Sequence, residues 1–333
     1  MKYQYLIILC YLMVLPLCAE EVEIEEIVTV GSSVSQKKAE TITTIDVIEE
    51  EDLKRFASNN LISILSGYLG IDISSNGGLG QYASLFLRGT NSNHTLVKVN
   101  GVKINPSTAG GASISNIDPN LISLIEVGSG PFSSIHGSEA IGGVINISTF
   151  PKEKDSSLQL SVSGGADNYR KESFQKNWLN KRDSYNVFLL QTKSEGFPSL
   201  IDSSINSGFN NKSFGGSYSL EKDKTQTDIS SWISKGRTEY LDFQSNPLSQ
   251  NYETSIHSVN FAFEHKDPYI LYLNLASSKD LINQNQLNYL NQKDTTETNN
   301  QNVQFMLYSP ADKAFSYTVG YDQEKQRVNY SSF

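Results

Sequence analysis

SVNFAFE at residues 258–264 and YILYLNL at residues 269–275 decide how the second half of this chain is read. In the first, Val259, Phe261 and Phe263 alternate with Ser258, Asn260, Ala262 and Glu264. In the second, Tyr269, Leu271, Leu273 and Leu275 fall on one face. Successive side chains of a strand point to opposite faces, so a period of two marks a strand with one apolar side and one polar side. The pattern recurs outward in both directions. Leu158, Leu160 and Val162 interleave with Gln159, Ser161 and Ser163, and Phe315, Tyr317, Val319 and Tyr321 oppose Ser316, Thr318, Gly320 and Asp322. Tyr185 to Gln191, Phe214 to Leu220, Asp228 to Ser234 and Val303 to Tyr308 bring the total to about eight candidate strands.

Two architectures use such strands. A soluble sandwich buries the apolar faces, whereas an outer-membrane barrel turns them to lipid and keeps polar groups in its lumen. Three features favour the barrel. Aromatic residues sit at strand ends (Tyr185, Tyr269, Phe305, Tyr308 and Tyr321), where interfacial girdles form. The opposite faces carry Ser, Asn, Thr and Gly, which suit a wet lumen. The chain also opens with an export signal. Lys2 precedes the apolar run YLIILCYLMVLPLC at residues 5–18, and Leu17-Cys18-Ala19 stands before the acids Glu20 and Glu21, which places cleavage after Ala19.

Composition excludes other classes. Acids outnumber bases 36 to 27 for a net charge of -9, which argues against a nucleic-acid-binding protein. Mean hydropathy is -0.35, and no window approaches the ~20 apolar residues of a membrane-spanning helix. Cys10 and Cys18 are the only cysteines and both leave with the signal. The mature chain is therefore expected to hold no disulfide, thiolate metal site or cysteine nucleophile.

Four parts follow from this reading: a signal peptide at residues 1–19, a leader at 20–39, a compact α+β domain at 40–150 and strands at 151–333. In the leader, Ile24 to Val30 has strand-forming character but no evident partner, so an extended, poorly ordered segment is expected. Such a tethered strand can add to the sheet edge of a partner. In the α+β domain, Glu49 to Ala57 reads as a short helix with Glu49, Glu50, Glu51 and Asp52 first and Lys54 and Arg55 last, as the helix dipole favours. A second helix, capped by Asn59 or Asn60, carries Leu61, Ile64, Leu65 and Tyr68 on one face. Strands are expected at Gly70 to Ser74, Ser84 to Arg88, Thr95 to Val99, Ile122 to Val127 and Gly143 to Ser148. Turns are expected at Asn76-Gly77-Gly78, Asn100-Gly101, Gly110-Gly111 and Gly128-Ser129-Gly130-Pro131.

No enzyme signature emerges. Gly77-Gly78-Leu79-Gly80 lacks the Gly-Lys-Ser/Thr that a phosphate loop requires. His94, His136, His257 and His265 show no metal-ligand spacing. Ser138-Glu139 near His136 lacks the elbow of a nucleophile.

Three stretches, in order, resemble the TonB-dependent outer-membrane receptors. Glu26-Ile27-Val28-Thr29-Val30 resembles their energy-coupling segment, the TonB box. Phe86-Leu87-Arg88-Gly89-Thr90 and Val97-Lys98-Val99-Asn100-Gly101-Val102 look like strands of their plug domain. Ile125 to Pro131, followed by His136-Gly137-Ser138-Glu139-Ala140-Ile141-Gly142-Gly143-Val144-Ile145-Asn146-Ile147, resembles the motif that closes the plug. Within the family, Gly70-Ile71-Asp72-Ile73, Asn76-Gly77-Gly78, Gly80-Gln81, Arg88-Gly89-Thr90-Asn91 and His94 follow the cobalamin (vitamin B12) receptors.

The resemblance implies an α+β plug followed by antiparallel transmembrane strands of a 22-strand barrel. It implies residence in the outer membrane, uptake of cobalamin or a related corrinoid as transported ligand, and energy from a periplasmic TonB protein that captures residues 26–30. By position it assigns the corrin-contacting apices to Tyr82, Ser84, Asn91, Ala109 and Gly110. Small residues with hydroxyl and amide partners suit a large, amide-rimmed, nearly neutral ligand. A ferric siderophore or haem is the alternative ligand. A truncated plug that binds TonB without transporting is the alternative of another class.

Three departures from the family pattern matter. Ser129 stands before Gly130-Pro131 where an arginine is usual, so one plug–barrel ion pair is expected to be missing. The region that would bind calcium reads Phe197-Pro198-Ser199-Leu200-Ile201 and Ile205-Asn206-Ser207-Gly208. Asp202 and Asp242 alone leave too few oxygens for the 6–8 ligands calcium takes, so no calcium site is expected. About eight strands cannot close a 22-strand barrel, and an eight-stranded one has no room for a plug. The chain thus reads as the N-terminal portion of a longer receptor.

Overall fold

The structure, a computed structural model, describes residues 27–28, 30, 36–37, 44–56, 60–106, 112–151, 156–222, 224–241, 246–264, 269–286, 293–309 and 317–332. The signal peptide, Glu26, Thr29, Ala109, Gly110, Asp242 and His265 lie outside the described residues. Near the N-terminus, β1 (Ile27–Val28) pairs antiparallel with β2 (Gln36–Lys37). The strand expected to lack a partner therefore has one ten residues or fewer downstream, a separation that local chain reversal spans at little loop-closure cost.

The plug is organised around its most apolar strands. A mixed sheet runs in the order β3-β8-β9-β6-β7, with β3 at Ile45–Glu49, β6 at Thr95–Val99, β7 at Val102–Lys103, β8 at Leu124–Ser129 and β9 at Gly143–Ser148. Every residue of β8 is buried. Gly128 and Ser129, expected in a turn, extend this strand because they pair with Val144 and Gly143 of β9, and ladder bonds on both sides outweigh local turn preference. Strand β6 runs parallel to β9. Asn100 and Gly101, at φ 51 and 81, join β6 to β7 by the tight turn that an Asn-Gly pair favours. Helix α1 (Glu50–Arg55) buries Leu53, and α2 (Leu61–Leu65) starts where the Asn60 side chain accepts from Ile62 N at 3.0 Å. A separate hairpin pairs β4 (Ile71–Ser75) with β5 (Ala83–Leu87).

The wall around the plug is a nine-stranded antiparallel meander: β10 (Ser157–Gly164), β11 (Arg170–Leu179), β12 (Asp183–Ser194), β13 (Phe209–Lys222), β14 (Thr225–Leu241), β15 (Pro247–Glu264), β16 (Ile270–Gln286), β17 (Lys293–Tyr308) and β18 (Thr318–Ser332). The additional strand is β11, whose sequence RKESFQKNWL hides its alternation behind four charges. Among the described residues β10 and β18 each pair on one side only. Strands of 14–18 residues from β13 onward exceed the ~9–11 that cross a bilayer, so they extend past any hydrocarbon layer.

Leu158, Leu160, Val162, Leu189, Phe214, Val259, Leu275, Val303 and Val319 are exposed on the outer face. This apolar band does not follow one register row. The row Leu160–Phe174–Leu189–Phe214–Ile233 continues into Ser255, Lys279, Asn299 and Arg327. On β15 to β18 the apolar set has moved to the row Phe261–Leu273–Phe305–Tyr321. A band that slides along the ladder marks strands tilted to its plane. At the end where β11–β12 and β13–β14 turn tightly, Tyr185 meets Tyr218 and Tyr269 meets Tyr317 in tilted ring contacts.

The concave face departs from a uniformly polar lumen. Phe188, Leu190, Trp232 and Ile256 are buried and join one apolar cluster with plug residues such as Ile48, Leu65, Leu87, Ile125 and Ile147. Phe188 meets the edge of Trp232, ring centroids 6.3 Å apart. Charges add to this seam. Lys171, 1% exposed, reaches Asp118 of the plug, 7% exposed, at 2.7 Å, and Asp118 also caps the turn at Pro119–Leu121 through Asn120 N at 2.9 Å. Lys103 bridges Glu139 within the plug and Glu324 on β18, each at 2.9 Å. Among the described residues two plug–wall ion pairs are therefore present, neither of them through position 129.

Removing one partner of a buried pair strands the other charge. Lys171→Met is expected to lower unfolding free energy by about 3–5 kcal/mol. Adding Asp118→Asn, which preserves the cap, should restore most of it. Denaturant unfolding of the detergent-solubilised protein checks both, and equal losses in the single and double variants would refute the pairing.

Candidate functional site

The two ends of the lumen are built differently. At one, the loop joining β4 to β5 rises against the wall beside the connection at residues 195–208. Gln81, buried, donates its amide to Glu239 O at 2.6 Å, and Thr238 Oγ1 donates to Gly80 O at 3.2 Å. Gly80 holds φ at +71, and a Cβ there would lie 2.2 Å from the Phe209 ring. Only glycine lets the plug backbone come this close to the wall. The fixed hairpin presents Tyr82, 41% exposed, and the half-buried Ser84. Asn91 is exposed but follows the other end of β5, a strand of roughly 16 Å, at the head of the turn Ser92–His94. The structure thus groups Tyr82 with Ser84 and sets Asn91 apart.

The other end holds the last residue of the segment 26–30. Val30 is 1% exposed and packs with Leu96, Phe132, Ala140 and Val144. Its bed is Gly128, where a Cβ would stand 2.4 Å from Val30 Cγ1 and 2.9 Å from the Phe132 ring. His136 Nε2 lies 3.0 Å from Val30 O, and its Nδ1 lies 3.2 Å from Lys98 Nζ. Ammonium has only protons to offer, so Nδ1 accepts from Lys98 and Nε2–H donates to Val30. Burial, reinforced by the charge of Lys98, lowers the His136 pKa to about 4. Burial lowers Lys98 to about 8, against the opposing pull of Asp322 and Glu324. Burial would also lower Lys103, but bonds from Glu324 and Glu139 outweigh it and raise its pKa. Asn274, Gln304 and Asp322, which line the cavity beside Lys98, lie near the tight-turn ends of β16, β17 and β18. Val30 is therefore held at the end of the lumen opposite the β4–β5 loop.

The sequence reading singled out Val30 and Tyr82 but missed the contacts of His136, Lys98 and Lys171. For Lys171 a signal existed. It shares its face of β11 with Ser173, Gln175 and Asn177, the polar phase, and a cation on that face looks into the lumen.

A sheet-and-hairpin domain thus sits in the concave face of an antiparallel wall. Residues 37–144 match the model of the TonB-dependent Receptor Plug Domain. The chain is 36% identical over 181 residues to the vitamin B12 transporter BtuB of Vibrio vulnificus (strain YJ016), covering 54% of this chain and 30% of that protein. The siderophore receptor PiuA from Acinetobacter baumannii superposes with TM-score 0.69 at 17% identity, covering 89% of this chain and 47% of that one. The ferric yersiniabactin uptake receptor FyuA from Yersinia pestis does so with TM-score 0.67 at 15% identity, covering 87% and 50%. At these identities the structural likenesses show the fold. The matched plug domain is followed by nine antiparallel strands, and the aligned part spans about 30% of the curated relative's length.

Burial and the charge of Lys98 keep His136 neutral down to about pH 4, and its bond to Val30 O pulls the pKa the other way. The same neutral ring therefore donates Nε2–H to Val30 at pH 7 and at pH 5, and a spin label at Ile27→Cys should show the same mobility at both. His136→Ala, which removes the donor, should raise that mobility at either pH; a mobility that rises between pH 7 and pH 5 in the unsubstituted protein would refute the assignment.

Proposed function

We propose that this chain forms the plug and first barrel wall of an outer-membrane transporter that takes up cobalamin or a related corrinoid. TonB, reached from the periplasm, would supply the energy by pairing with residues 26–30. The observation that carries this reading is the two-ended lumen: an exposed neutral apex at Tyr82 and Ser84, and a short strand with its anchor Val30 at the far end. A strand segment tethered to the plug suits addition to a partner sheet. Sequence similarity to vitamin B12 transporters favours a corrinoid, as do hydroxyl-bearing apices without a charged cluster. The siderophore receptors among the structural neighbours support a second ligand reading, a ferric siderophore, within the same transport scheme. Export by the segment 1–19 completes the route to the outer membrane.

In cells expressing the full-length receptor, Val28→Pro should leave surface binding of cyanocobalamin unchanged and reduce its uptake to background, because proline removes a strand donor. Persistent uptake in that variant would remove residues 26–30 from the coupling role. Retention of a ferric siderophore, with none of cyanocobalamin, would replace the ligand.

A further inference from the structure

A cleft of about 310 Å³ opens behind the β4–β5 loop, between the plug and the wall. Its plug side is Leu79, and its wall side is Tyr169, Phe197 and Phe209. Asp167 is the one charged residue that lines it, and no base does, among the described residues. The cleft is built before any ligand arrives. Glu195 N donates to Asp167 O at 2.8 Å, Ser207 N to Phe197 O at 3.2 Å and Glu239 N to Gly208 O at 2.8 Å, which ties the two wall connections together. The plug side is fixed by the Gln81 and Thr238 bonds to the wall. The Tyr169 hydroxyl is buried and has no hydrogen-bond partner in the structure.

Size and charge together restrict the occupant. The volume sits at the lower end of the ~300–1,000 Å³ of small-molecule sites. A whole corrinoid, a macrocycle with amide arms and a nucleotide tail, does not fit, but one planar bicyclic ring does. A single carboxylate without a cation disfavours phosphate, carboxylate or catecholate groups. Three aromatic rings favour a flat apolar partner, since ring stacking is tolerant of substituents and strong once water is excluded. The cleft adjoins the hairpin that presents Tyr82 and Ser84, so one ligand can span both.

We infer that this cleft is a subsite for the planar heteroaromatic base of a base-bearing corrinoid, with Phe197 as the stacking face. The inference rests on the corrinoid reading and deepens it: the corrin would lie on the apex and its base would enter the cleft. Corrinoids lacking the base would then bind on the apex alone.

The test compares two probes on outer membranes carrying the full-length receptor: cyanocobalamin, which has the base, and dicyanocobinamide, which lacks it. Phe197→Ala should weaken cyanocobalamin about tenfold and leave dicyanocobinamide within about twofold, the range expected for one lost stacking contact. Leu79→Trp, which fills the cleft from the plug side, should do the same. Equal losses for both probes, or no loss for either, would overturn the subsite while sparing the corrinoid reading. A wild-type receptor that retains neither probe would overturn that reading and the subsite together.

Discussion

A wall that spends its apolar side chains on its outer face must fill its concave side by other means. In this chain that constraint is met by a seam in which Phe188, Leu190, Trp232 and Ile256 reach inward and merge with the plug's own core. Each buried residue of that kind contributes about 1.5–3 kcal/mol relative to exposure. The seam makes plug and wall one packing unit along β12 to β15. Elsewhere the contact is polar: Asn274, Asn300, Asn302 and Gln304 line the cavity beside Lys98. Grip is thus uneven around the plug, apolar on one flank and hydrogen-bonded on another.

The two ends of the lumen inherit their positions from this seating. Gly80 and Gln81 fix the apex to the wall, and Gly128 makes room for Val30 at the opposite end. Between them lies the sheet whose strand β8 is wholly buried. Residues 27–30 and the β4–β5 hairpin share no direct contact among the described hydrogen bonds. Strands β8 and β9 carry Gly128 and Val144 beneath Val30 and pair with each other there.

Much of this was legible in the sequence, for identifiable reasons. Alternation at residues 258–264 and 269–275 revealed the wall because every outward position within those two stretches is apolar. Asn100-Gly101 announced its own turn, since that pair favours the left-handed backbone that the turn requires. Strand β11 escaped because a lumen-facing lysine and flanking charges blur a period of two. The inward apolar patch was hidden in Asn186-Val187-Phe188-Leu189-Leu190, where both faces are apolar and alternation vanishes. The pairing of Ile27–Val28 with Gln36–Lys37 and the bed beneath Val30 depend on tertiary proximity, which no local pattern encodes. Tyr82 and Ser84 were reached by resemblance, and Phe197 and Tyr169 became visible only when two wall connections were seen to close on the plug.

The sliding apolar band has a mechanical meaning. Because the strands lean, a pull directed along the lumen from Val30 meets the ladder at an angle and is shared by many hydrogen bonds in shear. Bonds loaded together resist far more than bonds peeled one after another. The polar flank near Lys98 has no such continuous ladder joining plug to wall. Under load the staves of the barrel would hold their shape while the stopper yields first along its wetter side.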